Sequence, residues 1–179
     1  SCLVGSEMCI RDSPLTLRSA RTQDVPVIQA LVEPLARERV LLQKEAVAYY
    51  EAIQEFVVAE EADGTLAGFG ALHVMWQDIA EVRTLAVSEA HRGTGVGHLI
   101  IEELLDRARA VGVERVFCLT FEVEFFRRHG FEVMADQSAV DPEVYAELLR
   151  STDEGVAEFL DLARVKPNTL GNTRMIRRL

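Results

Sequence analysis

The sequence predicts a mixed α/β fold in which helices flank a mixed, mostly antiparallel sheet. The apolar segments on either side of Asp63-Gly64 have the character of strands, and this dipeptide is typical of a tight hairpin turn. A glycine-rich loop at 92–97 then leads into an amphipathic helix over 96–111. Because an antiparallel hairpin precedes the loop and the helix, this order favours a mixed sheet over a parallel, doubly wound one.

The other elements follow from the spacing of apolar residues and from capping. Pro26 suits the first turn of a helix whose apolar face is formed by Val27, Ile28, Leu31, Val32 and Leu35. Gly112 is well placed to end the long helix. In chain order we predict strands over 15–20, 56–60, 66–74, 79–87, 115–120, 131–134 and 174–179, and further helices over 45–54, 123–129 and 142–150.

Charge and hydropathy argue against two kinds of partner. The formal net charge of −10 disfavours a nucleic acid, because such binding neutralises phosphates with Lys and Arg. The apolar runs are far shorter than the roughly 20 residues of a membrane span, so we expect a soluble, cytoplasmic protein. Residues 160–179 nevertheless contain five basic residues and one acidic residue. This basic end is either a solvated tail or part of a site for an anionic substrate.

The three cysteines and four histidines indicate neither a disulfide framework nor a metal site. Cys118 lies in an apolar run, as expected for a buried thiol in a reducing cytoplasm. The histidines have no zinc-ligand spacing among themselves or with the cysteines. We therefore predict that the protein uses no metal.

Residues 1–13 differ from the rest of the chain. They have neither helical nor strand periodicity, and they lack the basic start and long apolar stretch of a signal peptide. This segment resembles the translated read-through of a sequencing adaptor. We expect it to be disordered or poorly packed, and we predict a single domain over 14–179.

The glycine-rich loop is the first candidate for a functional site. In Arg92-x-x-Gly95-x-Gly97, backbone N–H groups at a helix start can face a pyrophosphate, although such a loop can also be purely structural. A Walker loop would end in Gly-Lys-Ser/Thr, whereas His98 follows Gly97. A dinucleotide-binding loop would come early in a βαβ unit, whereas this loop follows a hairpin.

The loop resembles the pyrophosphate loop of the GNAT superfamily of N-acetyltransferases, whose signature is Gln/Arg-x-x-Gly-x-Gly/Ala. Residues 85–87 upstream and 125–131 downstream strengthen the resemblance, because they match further family segments in the same order. The resemblance implies the GNAT fold and acetyl-CoA as cosubstrate. It also implies a coenzyme site formed by Leu85, Ala86, Val87, Arg92, Gly93, Thr94, Gly95, Val96, Gly97, Phe125 and Phe126.

Within that superfamily the chain looks like the short amino-acid N-acetyltransferases that acetylate glutamate at the start of arginine synthesis. The matching segments are 41–44, 50–56, 70–73, 119–122, 156–162 and 165–175. This resemblance implies an enzyme that transfers acetyl directly to the α-amine of glutamate or glutamine. A homodimer is left open.

The resemblance places the general base at Glu81, on the strand before the coenzyme loop. The alternative is that Glu81 is a solvent-facing strand residue. Glu122 is a second candidate base, although capping the helix that follows is the role we favour for it. The resemblance also implies that backbone N–H groups of Val87 and its neighbours stabilise the oxyanion.

A further role is that of the acid that protonates the leaving thiolate. Many family members have Phe-Tyr, whose tyrosine serves this purpose, where this chain has Phe125-Phe126. Thr120, a water molecule or no acid at all must therefore serve.

The carboxylates of a glutamate substrate require fixed cations. The candidates are Arg174, Lys166, Arg83 and Lys44, with Asn172 and Thr173 as neutral donors, and the alternative for each cation is a surface charge. Two other functions stay open: acetylation of another amine, such as a polyamine or a protein N-terminus, and a non-catalytic module that binds acetyl-CoA.

Overall fold

The computed structural model describes residues 15–41, 43–135, 140–160 and 172–179. The predicted leader at 1–13 and the predicted substrate-binding residue Lys166 lie outside these residues. A single domain over 14–179 therefore stays a prediction.

The described residues contain every strand and helix that the sequence predicts, and one more helix. The strands are β1 (Thr16–Ser19), β2 (Phe56–Glu60), β3 (Leu66–Trp76), β4 (Ile79–Val87), β5 (Arg115–Thr120), β6 (Glu132–Val133) and β7 (Thr173–Arg178). The helices are α1 (Val25–Arg37), α2 (Ala46–Glu51), α3 (Val96–Val111), α4 (Val123–Arg128), α5 (Pro142–Leu148) and α6 (Glu154–Phe159). The additional helix is α6.

The strands form one sheet in the order β1-β2-β3-β4-β5-β7-β6. Neighbouring strands are antiparallel except for β4 and β5, which are parallel. The parallel pair is connected through α3, because parallel neighbours need a crossover. The predicted mixed, mostly antiparallel sheet with flanking helices is confirmed.

Helices cover both faces of the sheet. On one face, Ile100 and Leu104 of α3 share a buried cluster with Ala80 and Val82 of β4. On the other face, α1 and α2 pack against β2 and β3. Since side chains alternate along a strand, Glu81 of β4 points away from α3.

The additional helix α6 is held on the same face as Glu81. Val156 and Phe159 are buried with Ile79 of β4 and Phe117 of β5. The rings of Phe117 and Phe159 meet edge to face, with their centroids 5.4 Å apart. This apolar packing fixes α6 beside the centre of the sheet.

A β-bulge interrupts β4 just beyond Glu81. Phe69 of β3 pairs with Ala86, but Ala71 pairs with Arg83, so β4 has one residue more than β3 over this stretch. Thr84, inside the bulge, has a φ of +55°. The parallel pairing of β4 with β5 ends at Val82, immediately before the bulge. Among the described residues, the last part of β4 is therefore not paired with β5.

Candidate active site

The glycine-rich loop connects the end of β4 to α3. Gly93 and Gly95 have φ values of +74° and +91°, which side chains other than glycine rarely tolerate. Gly95 is the N-cap residue of α3 and has no side chain with which to cap it. The first N–H groups of this 16-residue helix thus face the loop, where the helix dipole favours an anion.

Residues around the loop form its apolar border. A Cβ atom placed on Gly97 would lie 3.3 Å from the ring of Phe125 and 3.6 Å from Val87, so glycine permits this close packing. Phe125 and Val87 are half-buried, as are Leu85, Thr94 and Gly95. Arg92 is exposed. The structure brings these predicted coenzyme-binding residues to one end of the sheet.

Phe126 and Glu122 have surroundings that differ from those predicted. Phe126 is buried in the core on the α3 face, with its ring edge to face with that of Phe131 at 5.1 Å between centroids. Glu122 occupies the N-cap position of α4, but its side chain makes no capping hydrogen bond. The expectation that Glu122 caps this helix is therefore wrong. The loop contact is made by Phe125 and not by Phe126.

Glu81 is buried, with 7% of its surface exposed, and it is bonded to Arg83 two residues later on the same strand. Nε of Arg83 donates to Oε2 of Glu81 over 3.0 Å, and Nη2 donates to the same oxygen. The interpretation of Glu81 as a solvent-facing residue is excluded by this burial.

Arg83 also forms hydrogen bonds to a residue that lies 70 positions later in the chain. Its Nη1 and Nη2 atoms donate to the two oxygens of Asp153 over 2.9 Å each. Asp153 also accepts a hydrogen bond from the backbone N–H of Val156, and so caps α6. A substrate carboxylate at Arg83 would have to displace Glu81 or Asp153.

A histidine extends this cluster to the next strand. His73 of β3 is the cross-strand partner of Glu81. Its Nδ1 lies 2.7 Å from Oε1 of Glu55, and its Nε2 lies 3.8 Å from Asp153. We refer to Glu55, His73, Glu81, Arg83 and Asp153 as the Glu81 network.

Sequence reasoning missed three members of this network. Glu55 and His73 lie inside segments that carry the family resemblance, but no role was derived for them. Asp153 could have been noticed only as an N-cap residue before a short helix. Nothing in the sequence indicated that it would reach Arg83, 70 positions earlier.

The network sets the proton affinity of its members in opposite directions. Burial raises the pKa of Glu81, although the guanidinium of Arg83 opposes the rise. Burial also disfavours the charge on Asp153, but the hydrogen bonds and charge of Arg83 prevail and lower its pKa to about 2. At neutral pH Asp153 is therefore ionised, whereas the raised pKa of Glu81 makes it bind a proton more readily than an ordinary glutamate does.

Of the predicted substrate-binding cations, Lys44 lies near the network and Arg174 lies on the same face of the sheet. Burial lowers the pKa of Lys44, and the nearby charge of Arg83 lowers it further, whereas Glu81 and Asp153 raise it. Arg174 of β7 pairs with Leu119 of β5, and Ile176 two residues later packs with the α6 cluster. By strand alternation Arg174 therefore lies on the same face as Glu81.

The last predicted site residues lie at the ends of β5 and β7. Thr120 pairs with Thr173, and Asn172 directly precedes Thr173. The hydroxyl of Thr120 is buried and accepts a hydrogen bond from the backbone N–H of Glu122. By alternation with Cys118, which packs against α3, Thr120 faces away from Glu81. The structure does not bring these two predicted catalytic side chains together on one face.

Two further features concern metal ions and membranes. In the part of the chain that the structure describes, no three His, Cys, Asp or Glu side chains are arranged to hold a metal ion. None of the helices in these same ranges has the length and apolar character that crossing a membrane requires.

Comparisons with known proteins agree with this geometry. The model of the acetyltransferase (GNAT) family matches residues 27–131. The chain is 53% identical over 168 residues to an amino-acid acetyltransferase of Mycobacterium tuberculosis, covering 93% of this chain and 95% of that protein. A crystal structure of Rv2747 from Mycobacterium tuberculosis in complex with CoA has a TM-score of 0.86 and 53% identity, and the match covers 92% of this chain and 99% of that one.

A more distant structure is N-acetylglutamate synthase from Neisseria gonorrhoeae, complexed with coenzyme A and N-acetyl-glutamate. Its TM-score is 0.75 at 27% identity, and the match covers 94% of this chain but 36% of that one. The chain thus spans about a third of the length of that enzyme.

Because the family match spans more than half of the chain, the chain belongs to the acetyltransferase (GNAT) family. The predictions of a GNAT fold and of an acyltransferase enzyme are confirmed. Within the family, the predicted similarity to short amino-acid acetyltransferases and to N-acetylglutamate synthase is also confirmed.

Proposed function

We propose that this chain is an acetyl-CoA-dependent amino-acid N-acetyltransferase that acetylates the α-amine of L-glutamate or L-glutamine, the first step of arginine biosynthesis. One observation carries the proposal: Glu81 is a buried carboxylate with a raised pKa, on the strand that leads into the glycine-rich loop. An α-amine is mostly protonated near neutral pH, so acetyl transfer needs a base there. The similarity to the mycobacterial and gonococcal enzymes supports an amino acid as acceptor.

In the proposed reaction Glu81 accepts a proton from the substrate ammonium group through a water molecule. The freed amine nitrogen forms a bond to the thioester carbonyl carbon, and the backbone N–H of Val87 donates to the resulting oxyanion. The carbon–sulfur bond then breaks, and the nitrogen, which became positively charged when it bonded to the carbon, loses its second proton. Thr120 or a water molecule relays this proton to the departing thiolate, so the products are the amide and the free thiol. A raised pKa suits Glu81 to this reaction, because a general base is most effective when its pKa lies near the working pH.

Cations around the network hold the substrate carboxylates in this proposal. Lys44 interacts electrostatically with Glu81 and Asp153, and Arg174 lies on the same face of the sheet. Lys166 is a further proposed substrate-binding cation that lies outside the described residues, and Asn172 and Thr173 are proposed as neutral donors. We also propose that residues 14–179 form a single domain and that the protein is cytoplasmic.

A substrate panel tests the proposal. Release of free thiol from acetyl-CoA is followed with glutamate, glutamine, spermidine and a peptide with a free N-terminal amine. We expect glutamate or glutamine to have the highest kcat/KM. If spermidine or the peptide is the best acceptor, the substrate assignment is wrong and the acetyltransferase assignment stands.

Arg174→Ala sharpens this test. A charge-assisted hydrogen bond is worth about 1.5–3 kcal/mol, so kcat/KM for the amino acid should fall roughly 10- to 100-fold while the KM for acetyl-CoA changes little. Arg178→Ala is the matched control, because Arg178 is an exposed arginine at the end of the same strand. Equal losses in both variants would show that Arg174 does not contact the substrate.

A further inference from the structure

Arg83 is shared between two carboxylates: Glu81, two residues before it, and Asp153, 70 positions after it. Its Nε and Nη2 atoms face Glu81, and its Nη1 and Nη2 atoms face Asp153. The side chain of Arg83 is 13% exposed and that of Glu81 is 9% exposed, so solvent screens this arrangement weakly. One guanidinium therefore interacts with two carboxylates, that of the proposed base and that of Asp153.

We infer that Asp153 is a positioning residue for the proposed base, holding Arg83 and the start of α6 so that Glu81 stays available to take a proton. This inference rests on the proposed function of Glu81. Asp153 does not touch the reacting atoms, and it acts through Arg83 and through the helix that it caps.

Gly155 provides a second, steric line of evidence. A Cβ atom placed on Gly155 would overlap Oε2 of Glu81 and would lie 2.6 Å from Nη2 of Arg83. The first turn of α6 thus lies directly against the Glu81–Arg83 pair, at a distance that only glycine allows. Asp153 holds this turn in place, because it accepts the hydrogen bond from Val156 over 3.0 Å.

The apolar side of α6 makes this placement rigid. Val156 and Phe159 are buried against Phe117, which is the neighbour of Glu81 across the parallel strand pair. Two unrelated interactions, apolar packing at one end and the Asp153–Arg83 ion pair at the other, therefore hold α6 over the carboxylate.

The electrostatic consequence follows from the groups that surround Glu81. They are Arg83 on the same strand, His73 on β3, Lys44 before α2 and Asp153 before α6. Arg83 and Lys44 favour the ionised carboxylate, whereas Asp153 opposes it. If Asp153 loses its charge, Arg83 acts on Glu81 alone, and Glu81 becomes a weaker base.

Asp153→Asn is the direct test. Asparagine is as good an N-cap residue as aspartate, so α6 should keep its capping hydrogen bond while the charge is lost. We expect the acid limb of kcat/KM against pH to move to lower pH and the plateau rate to fall about 3- to 10-fold. Glu154→Gln is the matched control: it removes one negative charge from the adjacent, exposed residue and should leave the profile unchanged.

Gly155→Ala tests the steric part of the inference. The added methyl group must displace Glu81 or α6, so we expect kcat to fall about 10- to 100-fold while the affinity for acetyl-CoA is retained. Thermal unfolding of both variants establishes that they are folded. A folded Gly155→Ala enzyme with wild-type kcat would contradict the close placement of α6.

Glu81→Gln, measured over the same pH range, separates the role of Asp153 from that of the base. If Glu81→Gln removes the acid limb but Asp153→Asn has the wild-type profile, the inference fails and the proposed base stands. If Asp153→Asn instead lowers the amino-acid KM, Asp153 blocks a carboxylate site on Arg83, and the inference is again wrong. If Glu81→Gln keeps the wild-type acid limb, Glu81 is not the base, and the inference about Asp153 is wrong as well.

Discussion

The glycine-rich loop and the Glu81 network are built in opposite ways, although β4 carries Glu81 and also leads into the loop. The loop is formed by six consecutive residues, and its proposed ligand groups are backbone N–H groups positioned by Gly93 and Gly95. The network is formed by side chains from several separate segments, with Asp153 70 positions away from Arg83. A local sequence motif can encode the first arrangement, whereas the second exists only when the chain is folded.

The difference determines what each region tolerates. The loop should be sensitive to any side chain that changes its backbone and insensitive to the identity of exposed neighbours. The network should be sensitive to changes in charge even when the shape of the side chain is kept. The following predictions test this contrast.

The largest effect is expected for Glu81→Gln. The substitution keeps the shape of the side chain and removes the base, so kcat should fall about 10²- to 10⁴-fold, while calorimetry finds the acetyl-CoA affinity unchanged. The loss should shrink as the pH rises, because more of the substrate amine is then already deprotonated. Near-native turnover at pH 7 would show that Glu81 is not the base.

The next largest effect is expected for Gly95→Val. A branched side chain at a φ of +91° distorts the loop, so we expect acetyl-CoA to bind roughly 10- to 100-fold more weakly.

Gly112→Val is the matched control, because Gly112 ends the same helix with a φ of +90°, and a Cβ atom placed on it would meet no neighbouring atom within 4 Å. Both variants should lose about 1–2 kcal/mol of stability through backbone strain. Only Gly95→Val should lose coenzyme affinity, and equal losses would mean that the loop acts through helix stability alone.

A smaller effect is expected for Lys44→Met. In the proposal, Lys44 interacts with the network and also binds a carboxylate of the substrate. The product N-acetylglutamate has no titrating amine, so the pH dependence of its inhibition reports on the protein. We expect about 10-fold weaker inhibition in the variant at pH 7.

The pKa of Lys44 is lowered by burial, and lysine is charged only below its pKa. Inhibition of the wild type should therefore weaken as the pH rises. This weakening should occur at a lower pH than it would if Lys44 had the pKa of an ordinary lysine, and the variant should lack this pH dependence. An unchanged inhibition profile in Lys44→Met would remove Lys44 from the substrate site.

The smallest effect is expected for Arg92→Ala. Arg92 is exposed, so water and salt screen its attraction for a phosphate group. We expect acetyl-CoA to bind about 2- to 5-fold more weakly at low ionic strength and almost normally at high ionic strength. A larger, salt-independent loss would show that this side chain becomes buried when the coenzyme binds.

The order of elements and the position of the loop could be predicted because both depend on short-range physics. Periodicity identified the strands and α3, and glycines identified the loop, since few other residues tolerate positive φ angles. The family resemblance led to the choice of Glu81 as the proposed base, on the strand before this loop. The helix α6 was missed because six residues carry too little periodicity to stand out from a loop.

The side-chain environments could not be predicted, and Phe125 and Phe126 illustrate why. They are adjacent and chemically identical, yet Phe125 lies against the loop and Phe126 lies in the core. Adjacent residues of a helix point in different directions, and the way α4 packs determines which ring faces inward. The sequence alone does not indicate which of the two it is. Glu122 is similar, because its backbone occupies the N-cap position while its side chain makes no cap.

By itself, the sequence determined the family, the mixed sheet and the glycine-rich loop that is proposed to bind the coenzyme, because these depend on residues close together in the chain. The tertiary structure alone decided that Arg83 is bonded to Glu81 and Asp153, and that Gly155 lies against Glu81. The physical reason is that burial and ion pairing are properties of neighbours in space. The pKa of Glu81 is raised because packing of α6 and the sheet removes water from it, and no short segment of the chain contains that information.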